Sequence, residues 1–342
     1  MHYRLVFYIS CSLLLLASCS IRHNTDTYED TKFDRLSQQL SVEIYDSMAF
    51  KIIDPDTRFE ILASGFHWSE GPLWVDELQA LLFSDVPANK IYKWSKEDSL
   101  SIYLESAGHS GVENKDSGYG PNGLILDREN KLVLCQHGDR RIARMDADLI
   151  SPQALFTSIA DNYDGKQFNS PNDLIMDRAG QIYFTDPPYG QAENKTGEIG
   201  INGVFRVNSD NKVILLIDSL TWPNGIALSL DQQTIFINQS DPENPVLYSY
   251  EITKDGSLEN GSVLFDFDQL AKSAGGLPDG LKIHKSGNLF ATGPGGVHII
   301  SPDGKLLATL NTGKATANCA FDTDQRYLYT TTTDLLMRVK LK

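Results

Sequence analysis

The chain has 342 residues, a length that fits one large β domain or two ordinary domains. Its net charge of −15 at pH 7 argues against a nucleic-acid-binding protein, because such proteins present a basic face. An apolar content of 41%, together with 26 glycines and 14 prolines, indicates a globular fold that is rich in turns.

The N-terminal end has the pattern of an exported lipoprotein. A positively charged start at residues 1–4 precedes an apolar run at residues 5–17, which is shorter than the roughly 20 residues that span a bilayer. The run ends in Leu16-Ala17-Ser18-Cys19, which matches a bacterial lipobox. We therefore predict a signal peptide over residues 1–19 with Cys19 lipidated. The alternative is an ordinary secretory signal with a chance cysteine.

The segment after the lipobox is polar and charged, as in a tether. We predict a tether over residues 20–47 and one folded domain over residues 48–342. Ser20, which follows the lipobox cysteine, favours the outer membrane. The sequence thus predicts a periplasmic lipoprotein that meets the membrane only through its N-terminal lipid, as a monomer or a weak oligomer.

One pattern recurs six times in the rest of the chain. Each copy places an oxygen-bearing side chain in a short turn before an apolar run, at Glu70, Asn122, Asn172, Asn224, Asp279 and Asn318. Successive copies are 52, 50, 52, 55 and 39 residues apart. Periods of about 20–50 residues with several short strands in each unit are typical of propeller blades. The repeat predicts an all-β fold, a six-bladed β-propeller.

The strand pattern inside one unit recurs in the others. In the second unit, residues 123–127, 131–135 and 141–146 are rich in β-branched and other apolar residues and are bounded by Gly, Asn and Asp. No segment of this region shows sustained helical periodicity. A closed ring must also hide its first and last strands. We predict that residues 58–63 pair with residues 335–341, so that the last blade is built from both ends of the domain.

In a propeller the innermost strands start at one common face around the axis. The six polar residues are therefore expected to face one another there. Carboxylate and amide oxygens without Cys or His favour a hard cation such as Ca²⁺ or Mg²⁺ over zinc or copper. The alternative is that each Asx-Gly pair is only a turn whose side chain satisfies local backbone groups. Repetition on the blade period favours the metal site, less firmly at Asn122 and Asn318.

The motifs also resemble a known family. Residues 69–74 (SEGPLW), 170–174 (SPNDL), 222–227 (WPNGIA) and 277–281 (LPDGL) are similar in order and spacing to the SMP-30/gluconolactonase/LRE-like family. The resemblance runs from about residue 58 to the C-terminus. It implies a six-bladed propeller with one catalytic divalent cation, usually Ca²⁺, and the hydrolysis of small lactones, typically sugar lactones; Mg²⁺, Mn²⁺ and Zn²⁺ remain open as the working ion. Carried over by motif, the metal ligands fall on Glu70, Asn172, Asn224 and Asp279.

The resemblance also implies that Asp279 is the acid/base of the reaction, while the cation polarises the lactone carbonyl. Further substrate contacts are expected from Asn122, His137, Arg140, Tyr189 and Asn318. The structural alternatives are a hydrogen-bonded histidine at His137 and a packed loop aromatic at Tyr189. Two other functions remain open: a phosphotriesterase or aryl esterase on the same metal site, and a non-catalytic ligand-binding propeller.

Overall fold

The computed structural model describes residues 39–110 and 119–342. The predicted signal peptide, the lipidation site Cys19 and most of the predicted tether lie outside these residues. Within the described part of the chain, no helix is long and apolar enough to cross a membrane.

The described chain begins with two strands that join blades formed later in the sequence. These are β1 (Ser41–Ile44) and β2 (Phe59–Ser64), with a 3-10 helix at Ser47–Lys51 between them. The later strands form six antiparallel units in the same up-and-down order; β1 is added to the fifth unit and β2 completes the sixth.

The first three blades take their four strands from consecutive segments. Blade 1 contains β3 (Ser69–Val75), β4 (Ala80–Asp85), β5 (Lys90–Ser95) and β6 (Ser99–Glu105). Blade 2 contains β7 (Pro121–Leu126), β8 (Leu132–Gln136), β9 (Arg141–Met145) and β10 (Phe156–Ala160), and a small hairpin of β11 (Asn162–Tyr163) and β12 (Lys166–Gln167) follows it. Blade 3 contains β13 (Leu174–Met176), β14 (Ile182–Asp186), β15 (Gly203–Val207) and β16 (Val213–Ile217).

The last three blades complete the ring. Blade 4 contains β17 (Pro223–Leu228), β18 (Thr234–Asp241), β19 (Asn244–Ile252) and β20 (Leu258–Asp266). Blade 5 contains β21 (Leu281–Ile283), β22 (Leu289–Gly293), β23 (Gly296–Ile300) and β24 (Leu306–Asn311). Blade 6 contains β25 (Asn318–Phe321), β26 (Tyr327–Thr332) and β27 (Leu335–Lys340). The remaining short elements are 3-10 turns at Asp76–Leu78 and Ala192–Asn194 and a one-turn α-helix at Asp268–Ala271.

The first strands of the six blades form the inner wall of the ring. Each contacts the first strand of the next blade, and β25 returns to contact β3. The ring is closed by β2, which pairs antiparallel with β27 from Phe59 opposite Val339 to Ser64 opposite Leu335. The predicted six-bladed propeller and its closure by the two ends of the domain are confirmed.

The predicted boundary between tether and domain is too late. Strand β1 pairs with β24, the outermost strand of blade 5, from Ser41 opposite Asn311 to Ile44 opposite Ala308. Residues 41–47, which we assigned to the tether, therefore belong to the folded domain. This strand was hidden in the sequence because only four residues pair and half of them face solvent.

The core lies between neighbouring blades. Blade 6 and blade 1, for example, share a cluster that includes Phe83, Trp94, Tyr329 and Leu336. Since the middle strands are covered on both faces, apolar residues occupy both faces; β8 is buried throughout, and all its residues except Gln136 are apolar. Cys135 and Cys319 are buried free thiols in this core.

Candidate functional site

A cavity of about 550 Å³ opens where the inner strands begin. Five of the six repeated polar residues lie in its wall: Glu70, Asn122, Asn172, Asn224 and Asp279. His137 and Tyr189 line it as well. The structure thus brings together residues from blades 1 to 5 that are separated by up to about two hundred positions of chain.

A repeated set of hydrogen bonds positions the turn before the inner strand in several blades. The Asp85 carboxylate at the end of β4 accepts hydrogen bonds from the backbone N–H groups of His67 and Trp68, just ahead of Glu70. Asp186 at the end of β14 does the same for Asn169 and Ser170, ahead of Asn172, at 2.7 and 2.8 Å. In blades 1 and 3 the second strand therefore holds the loop that delivers a polar side chain to the cavity.

In blade 4 a side-chain amide takes the place of the carboxylate. The Gln239 Oε1 atom accepts the backbone N–H of Thr221 at 3.0 Å, three residues before Asn224. The inner strands of blades 1, 2 and 4 are also irregular at the polar residue, with register shifts at residues 70–73, 121–124 and 223–226. Because an irregularity of this kind redirects a side chain, it turns these residues from the sheet toward the axis.

The glycines that follow the polar residues are explained by close approach between blades. A Cβ atom on Gly225 would lie 2.2 Å from the carbonyl oxygen of Asp279, and one on Gly71 would lie 2.0 Å from that of Asn122. Gly225 also donates its backbone N–H to the Asp279 carbonyl at 3.1 Å. These glycines let the inner strands converge on the axis, a requirement that the sequence alone suggested only as turn formation.

Ser240 sets the orientation of the Asn224 amide. The Ser240 hydroxyl donates to the Pro278 carbonyl oxygen and so accepts from Asn224 Nδ2 at 3.0 Å. The Asn224 Oδ1 atom is left facing the cavity, buried and without a hydrogen-bond partner. Ser240 therefore presents the oxygen of the amide to the site.

Two further oxygens of the cavity are also buried without a hydrogen-bond partner. They are Asn122 Oδ1 and Asp279 Oδ1. The Asn122 Nδ2 atom lies 3.3 Å from His137 Nε2, an arrangement that directs the Asn122 oxygen away from the histidine. Since a buried unpaired oxygen is costly, three of them in one cavity indicate a ligand that offers positive charge.

The two carboxylates of the cavity have raised pKa values. Burial raises the pKa of Glu70 to about 7, although the hydrogen bond from the backbone N–H of Gly71 lowers it in part. Burial, then the nearby Glu70 and Asp173 carboxylates, hold the pKa of Asp279 well above its usual range. A cation between these groups would offset both effects.

The donor set fits a hard divalent cation. Within residues 39–110 and 119–342, no group of three or more His, Cys, Asp or Glu side chains could hold a metal ion. The cavity instead combines two carboxylates, Glu70 and Asp279, with the amides of Asn172 and Asn224. Calcium accepts both kinds of oxygen, so the chemistry of this set agrees with Ca²⁺ or a similar ion.

Two predicted substrate contacts lie outside the cavity. The Arg140 guanidinium donates to the carbonyl oxygen of Phe168 at 2.6 Å and to Gln167 Oε1 at 3.1 Å, which fixes the loop after β12. Asn318 is not among the residues that line the cavity, and its side chain is hydrogen-bonded to Asp173 and Lys282. The sequence could not separate them from the cavity residues, because Asn318 begins an inner strand and Arg140 lies in the turn between β8 and β9, three residues after His137.

The sequence analysis missed most of the apolar wall. The cavity is lined by Trp68, Val86, Pro87 and Leu277, and the Tyr189 ring packs at a tilt against the Trp222 ring, with centroids 5.2 Å apart. Burial raises the pKa of the Tyr189 hydroxyl, so it stays protonated. Trp68 and Leu277 flank Glu70 and Asp279 closely, so their place beside the motifs was the available signal.

The fold and the site define a six-bladed propeller with an oxygen-lined axial pocket. The SMP-30/Gluconolactonase/LRE-like region model matches residues 68–334, and the chain belongs to this family. It is 37% identical over 302 residues to the gluconolactonase of Zymomonas mobilis, with 85% of this chain and 83% of that protein covered.

Solved structures show the same fold. A gluconolactonase from Xanthomonas campestris superposes with a TM-score of 0.77 at 28% identity and covers 88% of this chain and 95% of its own. A regucalcin from Agrobacterium tumefaciens, a calcium-binding protein, has a TM-score of 0.65 at 16% identity, with 82% of this chain and 94% of its own covered. At that identity the second likeness concerns the fold alone.

Proposed function

We propose that the protein is a lactonase, a carboxylic ester hydrolase that opens a sugar lactone with the help of a divalent cation held in the axial cavity. Family membership and the identity to a gluconolactonase over most of both chains support the hydrolysis of a sugar lactone. The metal dependence and the roles of single residues are inferred from the cavity.

One observation carries the metal assignment. Glu70, Asn172, Asn224 and Asp279 converge on one cavity, and two of them present a buried oxygen that has no hydrogen-bond partner. A turn residue would use that oxygen on its own backbone, so the turn interpretation does not account for it. We assign these four residues as the ligands and favour Ca²⁺, since all the donors are hard oxygens.

The residues of the cavity divide the chemistry between them. When bound, the cation polarises the lactone carbonyl and stabilises the negative charge that develops on its oxygen. Asp279 takes the proton of the attacking water, and it returns a proton to the alkoxide that leaves when the ring opens. Asn122, His137 and Tyr189 provide hydrogen bonds for the substrate oxygens, and Trp68 packs against the apolar face of its ring.

The experiment is a pH-stat assay on a panel of lactones, aryl esters and phosphotriesters after removal of metal with EDTA. We expect hydrolysis of sugar lactones to disappear with EDTA and to return with excess Ca²⁺. Turnover that survives EDTA would overturn the metal assignment. If phosphotriesters or aryl esters were hydrolysed and lactones were not, the substrate would belong to one of those classes instead.

Ser240 offers a test of how the cavity orients its oxygens. In Ser240→Ala the Asn224 amide loses the contact that directs its oxygen inward, and we expect Ca²⁺ affinity to fall about 10–100-fold, as for other residues that orient metal ligands. Isothermal titration calorimetry measures this directly. Ser262→Ala, an exposed serine of the same blade, is the control and should bind Ca²⁺ as the wild type does. Equal affinity in both variants would show that Ser240 does not orient the amide.

A further inference from the structure

A second polar group lies next to the cavity and is not explained by the proposed ligands. It consists of Asp173, just before β13, Lys282 in β21 and Asn318 at the start of β25. Lys282 Nζ donates to Asn318 Oδ1 at 3.2 Å and lies 3.6 Å from Asp173 Oδ2. Asn318 Nδ2 donates to the same Asp173 oxygen at 3.3 Å. We call these three residues the axial brace.

The axial brace crosses the channel of the ring. Asp173 belongs to blade 3 and Asn318 to blade 6, which are opposite each other, and Lys282 comes from blade 5. The Asp173 side chain is 4% exposed and that of Lys282 is 26% exposed. An ion pair in this position is poorly screened, so its charges act on whatever occupies the neighbouring cavity.

The axial brace is electrostatically coupled to the cavity carboxylates. The Asn318 amide and the Lys282 ammonium both lower the pKa of Glu70, whereas Asp173 raises it. Likewise, Asp173 raises the pKa of Asp279 and Lys282 lowers it. The coupling adds to the geometric argument, because Asp173 directly follows Asn172 in the chain and Lys282 lies three residues after Asp279.

The charges of the two groups together balance the charge of one divalent cation. The cavity contributes the carboxylates of Glu70 and Asp279, and the axial brace contributes one carboxylate and one ammonium. When all four groups are ionised the net charge is −2. Buried charge is tolerated when it is compensated, and a dication compensates this total.

We propose that Asp173 and Lys282, held together by Asn318, are positioning residues that set the charge of the metal site at the value that a divalent cation neutralises. This inference rests on the proposed function, since it assigns to the axial brace a part in binding the cation. It predicts that single substitutions of the ion pair change metal affinity in opposite directions. A purely structural ion pair predicts a loss of stability with no such pattern.

The test is calorimetric titration of the purified protein with Ca²⁺ alone, before any activity assay. In Asp173→Asn the unpaired Lys282 leaves a site charge of −1, and we expect Ca²⁺ affinity to fall about 10–100-fold. In Lys282→Met the site charge becomes −3 and Ca²⁺ should bind more tightly than to the wild type. The double variant returns the charge to −2, and its affinity should recover to within about threefold of the wild-type value.

A matched pair of controls comes from an exposed ion pair. Lys131 Nζ and Asp148 Oδ1 are 2.6 Å apart in blade 2, and the Asp148 side chain is 77% exposed. Asp148→Asn and Lys131→Met change the net charge of the protein as the test variants do. Both should bind Ca²⁺ as the wild type does, because exposed charges are screened.

The outcomes separate this inference from the proposed function. If the wild type binds no divalent cation, the metal assignment fails and the axial brace loses its role with it. If the wild type binds Ca²⁺ and the two single variants both weaken binding, with additive losses in the double variant, the metal assignment stands and the inference is wrong. Should Asp173→Asn fail to fold, Lys282→Met decides alone, since the inference requires Ca²⁺ to bind this variant more tightly than the wild type.

Discussion

Replacement of Asp279 by Asn is expected to abolish lactone hydrolysis while leaving the propeller folded. Asparagine keeps the size of the side chain and an oxygen for the cavity, but it cannot accept a proton from water. A positioned general base contributes about 10²–10⁴-fold to a rate, so we expect kcat to fall by about that factor or more. Circular dichroism and the thermal unfolding midpoint should match the wild type, because the backbone contacts of Asp279 with Gly225 and Thr292 do not involve the carboxylate.

The control for this experiment is Asp303→Asn, an exposed turn carboxylate in the same blade. It removes the same charge from the surface, and we expect full activity. If Asp279→Asn retained turnover comparable to this control, the carboxylate would not be the base, and the proposed division of roles in the cavity would be wrong.

The second large effect is expected at the closure of the ring. Met337 lies in the middle of β27, is fully buried, and is opposite Ile61 of β2 and Thr330 of β26. In Met337→Asp a carboxylate without a partner enters this core, at a cost of several kcal/mol. Because domains are stable by only about 5–15 kcal/mol, we expect the variant to be insoluble or largely unfolded.

Lys340→Asp is the matched control, since it adds an acidic residue to the same strand at an exposed position. It should express and unfold cooperatively near the wild-type temperature. Soluble expression together with thermal unfolding followed by circular dichroism compares the two. A folded and active Met337→Asp variant would mean that pairing of the two ends of the domain is not what holds the ring closed.

Much of the fold follows from the sequence because the blades repeat. The predicted strands at 131–135 and 141–146 agree within one residue with β8 and β9. These central strands are buried on both faces, so packing requires the apolar runs that make them recognisable. The outer strands are less easily found: β20 is largely exposed along its length, and β1 has only four residues. A strand that buries few side chains needs few apolar residues, so its sequence shows little hydrophobic alternation.

The site was predictable to the extent that it is built on the repeat. The cavity residues at the starts of the inner strands repeat at the blade period. Because the inner strands all begin at the same face of the ring, these residues lie close together. Asn318 has the same position in its blade but lies in the axial brace, because Lys282 and Asp173 offer it hydrogen bonds there. Ser240 belongs to no repeated motif. Its contribution depends on contacts between blades, which no pattern along one chain records.

The extra strand of blade 5 has a mechanical consequence. A pulling force on the chain ahead of Ser41 acts first on the four-residue ladder between β1 and β24, and only afterwards on β2, which closes the ring. Detachment of β1 would release its four residues while the ring closed by β2 and β27 stays intact. The short outer strand would then detach before the ring opens, so that tension on the N-terminal end would not distort the cavity.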